Sequence, residues 1–193
     1  MTLLVLGLVV FIGVHTVPMM TGLRDSLRAR LGAGGYRILF TVVSLAGFAL
    51  LVYGYGAARA EGPPILYDPP VWMRHVTMLL MLPVFVLLVA SGAPTGRIKK
   101  AVKHPMVLAV KIWAFAHLLA NGDLASVLLF AAFLAWGVVD RISLKRRPAT
   151  LGGAAAAGAP SAAGDIVSLV VGLGLYLVFV FYLHELLIGV PVM

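Results

Sequence analysis

A chain of 193 residues that is 62% hydrophobic and only 11% charged departs from soluble domains, in which roughly 25% of residues are charged. So short a chain has no interior large enough to hide its apolar surplus, so lipid must be the solvent for much of it, and spanning backbone must then be satisfied internally. There is no cysteine, which excludes disulfides, thiolate metal sites, iron–sulfur clusters and cysteine nucleophiles. The net charge of +8 lies in short basic clusters between apolar runs, a pattern that orients a membrane protein and builds no nucleic-acid face.

The apolar runs are continuous and rich in Leu, Val and Ala, which favours helices over the alternating strands of a β-barrel. They predict an all-α polytopic membrane bundle, a single domain over 1–193, with about six transmembrane helices near 2–20, 36–56, 71–91, 105–121, 124–140 and 166–189. Most approach the roughly 20 residues that a 30 Å hydrocarbon core requires. The first run, MTLLVLGLVVFIGVHTVPMM, lacks a basic n-region and a small-residue cleavage site, so it reads as a span. The segment EGPPILYDPP (61–70) reads as an extended loop, with Tyr67 and Trp72 suited to the interface. The fourth and fifth runs are shorter and separated only by the Asn121-Gly122-Asp123 turn, which predicts a tight helical hairpin. PATLGGAAAAGAPSAAG (148–164) is low-complexity sequence, expected as a flexible cytoplasmic linker.

The Lys/Arg distribution sets the orientation. Arg24, Arg28, Arg30 and Arg37 mark the first loop or its edge, Arg97, Lys99, Lys100 and Lys103 the third, and Arg141, Lys145, Arg146 and Arg147 the fifth. These are twelve of the fifteen basic residues, and with six spans all three loops fall on one side. The positive-inside bias makes that side cytoplasmic and leaves both termini outside.

Ionisable groups inside spans are costly and mark candidate functional sites. His75 stands at the start of the third span, where an interfacial imidazole costs little, and His184 beside Glu185 near the end of the last, where snorkelling or a local pair explains them. His15 lies well inside the first span and His117 inside the fourth. Each loses hydration unless it meets a partner, whether a ligand, a proton-handling role or a hydrogen bond joining helices. His104 precedes Pro105, which suits a first helical position, and reads as a capping or interfacial residue. Thirteen residues separate it from His117, about 19 Å of rise on a continuous helix, so the two cannot share one metal atom. Two imidazoles from two helices, His15 and His117, suit the iron of a b-type haem; structural zinc usually wants four protein ligands. Trp113, His117 and Asn121 fall at i, i+4 and i+8 and could line a pocket, with His104 and Asp123 in support.

The stretch HPMVLAVKIWAFAHLLANGDLASVLLF from His104 to Phe130, with the N-terminal histidine, Arg-rich segment and Tyr36-Arg37 start of the second span, resembles the NnrU family. The family pattern is close to HP-x-x-x-G followed by W-x-x-x-H-L-x-x-N-G-D, and Ala109 stands here in place of its glycine. The resemblance implies a multi-pass protein of the bacterial inner membrane linked to nitrite and nitric oxide reduction. Relatives of the family include 15-cis-zeta-carotene isomerase, a haem b protein whose two implicated histidine ligands match His15 and His117. Its additional cysteine has no counterpart in Trp113-Ala114-Phe115-Ala116, so a redox-driven ligand switch is not implied. Isoprenylcysteine methyltransferases are also similar at Lys103-His104-Pro105, but their following Tyr and Gly are missing, so S-adenosylmethionine is not an expected ligand. The expectations are therefore a haem b-binding component of denitrification-type metabolism with redox, sensing or assembly roles, a haem-dependent isomerase of a carotenoid-like polyene, or a non-catalytic scaffold. Expected partners are the bilayer and either a hydrophobic small molecule or other membrane proteins.

Overall fold

Pro18, which has no N–H to continue a helix, ends the first apolar run: α1 (Thr2–Thr16) tightens into a single 3-10 turn at Val17–Met19. The computed structural model describes residues 1–147 and 159–192. The chain then enters α2 (Thr21–Ala60), a 40-residue helix broken at Gly32. Here the structure corrects the expected first loop, because the segment carrying Arg24, Arg28 and Arg30 is helical. Leu, Arg and Ala are good helix formers, so charge alone did not mark a loop. Gly32 supplies the break, with φ 71° and ψ 168°, a conformation that only glycine adopts without strain.

After the proline-rich 61–70 segment come α3 (Met73–Gly92), the short α4 (Arg97–Val102) and α5 (Pro105–Ala120). The chain continues as α6 (Leu124–Arg146), then α7 (Ala162–Val178), which passes through a π-helical turn at Phe179–Leu183 into α8 (His184–Ile188). Among the described residues, five helical stretches are long and apolar enough to cross a membrane: Thr2–Met19, Thr21–Ala60, Met73–Gly92, Leu124–Arg146 and Ala162–Ile188. The sixth run, Pro105–Ala120, is apolar but shorter, rising roughly 24 Å against a core of about 30 Å. The fifth run is longer than expected, since Arg141, Lys145 and Arg146 extend α6, where cations suit the negative end of the helix dipole. The expected linker lies outside the described residues at 148–158. Its last residues instead open α7, with Ser161 Oγ accepting from Gly164 N at 3.3 Å.

Large apolar side chains face outward along these helices: Val9 (64% exposed), Ile38 (67%), Leu79 (70%) and Val170 (65%). A water-facing surface of this kind would be an aggregation liability, whereas lipid accepts it. The chain is a multi-pass membrane protein.

The chain forms two compact units. The first joins Met1–Asp68 to Asn121–Leu144; the second joins Pro69–Ala120 to the described chain from Lys145 onward. In the first, α1 and α2 pack at backbone distance through small residues, as lipid-embedded helices commonly do. A Cβ at Gly54 would collide with the Leu4 backbone nitrogen, and one at Gly7 would lie 2.7 Å from Leu51 Cα. In the second, Val84 and Leu87 of α3 bury Ala109 of α5 completely, with Met81, Ile112 and Trp113 around them. The departure from the family glycine at Ala109 is thus accommodated, its methyl group filling the core. Asp165 of α7 accepts from Arg97 N (2.9 Å) and Ile98 N (3.0 Å), satisfying free amides at the start of α4.

Candidate functional site

His15 and His117 fall in different compact units, and each makes the same local bond. His15 Nδ1 lies 2.7 Å from Phe11 O, one helical turn back, and His117 Nδ1 lies 2.8 Å from Trp113 O. A carbonyl oxygen only accepts, so each imidazole must carry a proton on Nδ1. In the neutral ring this makes Nε2 the lone-pair nitrogen. Metal-ligating histidines have this arrangement, the second ring nitrogen donating to a carbonyl or carboxylate that fixes tautomer and orientation. His184 Nδ1 is likewise committed, to Val190 O at 2.7 Å, at the far end of the last helical stretch.

The surroundings of His15 are aromatic. Its ring lies 4.2 Å from the Phe11 centroid, 5.2 Å from Phe40 and 6.1 Å from Trp136, the last two edge-on. Phe133 and Phe48 extend this surface through Phe11. Among the described residues, neither Trp136 Nε1 nor Ser44 Oγ, both buried, has a hydrogen-bond partner. A buried N–H left unmade costs about 1–3 kcal/mol, so Trp136 presents an unused donor in the aromatic setting of His15.

In the second unit, Trp113 flanks His117 at 5.5 Å between ring centroids, as their i, i+4 spacing predicts. Thr77 Oγ1 donates to Ala116 O at 2.8 Å and pins α3 to α5 beside this histidine. His104 stands just before α5, where its backbone carbonyl accepts from Leu108 N at 3.2 Å. His75 is exposed at the start of α3.

Asn121 and Asp123 fasten the turn between α5 and α6. Asn121 lies beyond the end of α5, so the expected Trp113–His117–Asn121 stripe stops at the histidine. Its carbonyl accepts from Tyr67 Oη at 2.9 Å. Leu66 N donates to Gly122 O at 2.8 Å, and Leu124 N to Pro64 O at 2.9 Å. The 61–70 segment is therefore fastened along the turn, and a Cβ on Gly122 would strike the Tyr67 carbonyl oxygen. Partial burial, with the Asp123 carboxylate adding to it, pushes the Tyr67 phenol above its usual pKa.

Asp123 caps α6. Its Oδ1 accepts from Ser126 N at 2.9 Å, and its Oδ2 from the fully buried Ser126 hydroxyl at 2.6 Å. Tyr55 of α2 shares a 2.8 Å hydrogen bond with that hydroxyl, and the Arg59 guanidinium lies 5.8 Å from the Tyr55 ring centroid. Asp123→Ala is expected to destabilise the protein by about 1–2 kcal/mol, read as an earlier unfolding transition in detergent. Asp123→Asn, which keeps an acceptor, should recover part of the loss.

Phe11 was within reach of the sequence, since it stands four residues before His15. Trp136 was not, being brought in from α6 by tertiary packing. A family profile described as NnrU protein matches residues 3–192, nearly the whole chain. Neither the curated proteins nor the solved structures yield a match. The chain belongs to the NnrU family.

Proposed function

We propose that this protein binds haem b within the membrane and supports nitrite and nitric oxide metabolism as a redox, sensing or assembly component. The observation that carries the reading is His15, an intrahelical imidazole with Nδ1 donating to Phe11 O and Nε2 in the ligating tautomer; His117 holds the same tautomer within the other compact unit. The residues around His15 fit a porphyrin as well. Phe11, Phe40 and Trp136 offer aromatic surface, and Trp136 Nε1 offers a buried, unused donor. Haem b, when bound, supplies one-electron exchange at its iron. The protein's part is to present imidazole nitrogen of fixed tautomer, to keep water away with aromatic and aliphatic side chains, and to hold the helices carrying the ligands. The link to nitrogen oxides rests on the family resemblance.

Deleting the gene in a denitrifying host is expected to slow consumption of nitrite or nitric oxide. Wild-type protein should restore the rate and His15→Leu should not. Unchanged consumption in the deletion strain removes the metabolic role. A cis-polyene incubated with haem-loaded protein should keep its isomer composition on chromatography, and conversion to the trans form would favour the isomerase reading instead.

We place the protein in the bacterial inner membrane with both termini outside: the family resemblance supports the membrane, and the positive-inside bias of the basic clusters supports the orientation. Alkaline phosphatase fused after residue 193 should be active and a fluorescent protein at the same place dark. The reverse result contradicts the orientation.

A further inference from the structure

The Arg-rich arm of α2 and the span that follows it border an open notch of about 250 Å³ lined by Arg28, Ala33, Tyr36, Arg37 and Phe40. Arg28 and Arg37 are nine residues apart. On an unbroken helix that spacing places them on opposite faces, separated by roughly 13 Å of rise. They line one notch because the chain turns between them at Gly32, with φ 71° and ψ 168°. Neither is in an ion pair among the described residues, whereas neighbouring Arg24 is bound to Asp25 at 2.9 Å. The wall of the notch leads to the candidate ligand, since Phe40 lies 6.3 Å from the Tyr36 ring and 5.2 Å from the His15 imidazole. Two unpaired guanidiniums, an aromatic path and an imidazole thus follow one another within one compact unit.

We infer that Arg28 and Arg37 anchor the propionate carboxylates of haem while its apolar macrocycle extends past Phe40 toward His15. The assignment rests on the haem reading above. Two guanidiniums match two carboxylates, and arginine is the side chain whose planar fork pairs with a carboxylate bidentately. The charge balance also accords: two propionates neutralise two cations that have no ion-pair partner among the described residues. The break at Gly32 is then what assembles the anchor.

The test uses the full chain, stripped of haem, in nanodiscs of zwitterionic lipid, titrated with haem b and with haem b dimethyl ester. Binding is read from the Soret band. Wild type is expected to bind the free acid roughly tenfold or more tightly than the ester, the scale of one charge-assisted hydrogen bond. R28Q/R37Q should bind both with ester-like affinity, at an unchanged Soret position because the histidines are intact. Equal affinity of wild type for both porphyrins overturns the anchor, as does a preference that survives in R28Q/R37Q. The wild-type comparison alone decides the matter should the double variant fail to fold. A histidine-type Soret band without acid–ester preference removes the anchor and leaves the haem reading standing. No binding of either porphyrin removes both.

Discussion

His15→Leu is expected to lower the haem retained by the purified protein roughly tenfold or more, since even support groups behind a metal ligand are worth 10–100-fold in affinity. Leucine fills the same volume among Phe11, Phe40 and Trp136, so helix packing should survive while the coordinating nitrogen is lost. His75→Leu, at an exposed position, should leave haem content unchanged. His15→Gly supplies the sharper form, because free imidazole can enter the vacated space. Its Soret band should return with millimolar imidazole, and a helix-joining role for His15 would show no such rescue.

Gly54→Ala is expected to destabilise the protein by about 1–3 kcal/mol, the usual cost of forcing an extra carbon into a packed interface. The new methyl group would meet the backbone of Leu3 and Leu4, with Leu4 Cα at 2.8 Å. Backbone cannot rotate away as a long side chain can, so α1 must move off α2. Leu4, fully buried at this contact, would lose its packing, and His15 on the same helix would shift with it. Haem content should therefore fall together with the unfolding midpoint. Gly56→Ala is the matched control, because nothing lies within 4 Å of its Cβ position. There alanine should be neutral or stabilising by up to about 1 kcal/mol, as its helix propensity dictates. Unfolding midpoints in detergent compare the pair, and equal midpoints would contradict the close α1–α2 approach.

The apolar helices were legible because continuous hydrophobic runs leave the backbone no alternative in lipid, and the observed boundaries follow those runs within a few residues at most ends. The exceptions have physical causes. Arg24, Arg28 and Arg30 signalled a loop by charge, yet their side chains favour helix, and the turn needed came from the single residue Gly32. The basic end of α6 lengthened the fifth run for a related reason, since cations are welcome at a helix C-terminus. At the site, His15 and His117 stood out because imidazoles are rare within spans. The bonds to Phe11 O and Trp113 O follow from helical geometry alone. Trp136 beside His15, and Tyr55 on the Ser126–Asp123 cap, come from distant parts of the chain and leave no local period to read. Asn121 and Asp123 were visible as a motif, but their work in fastening the 61–70 segment and capping α6 required the fold.

The most direct test of the haem assignment is the reduced-minus-oxidised absorption spectrum of the detergent-purified wild-type protein after expression with ample haem. A Soret band with the α and β bands of histidine-ligated haem b, lost in His15→Leu, is the expected result. A wild-type spectrum without a Soret band, from folded protein, contradicts it.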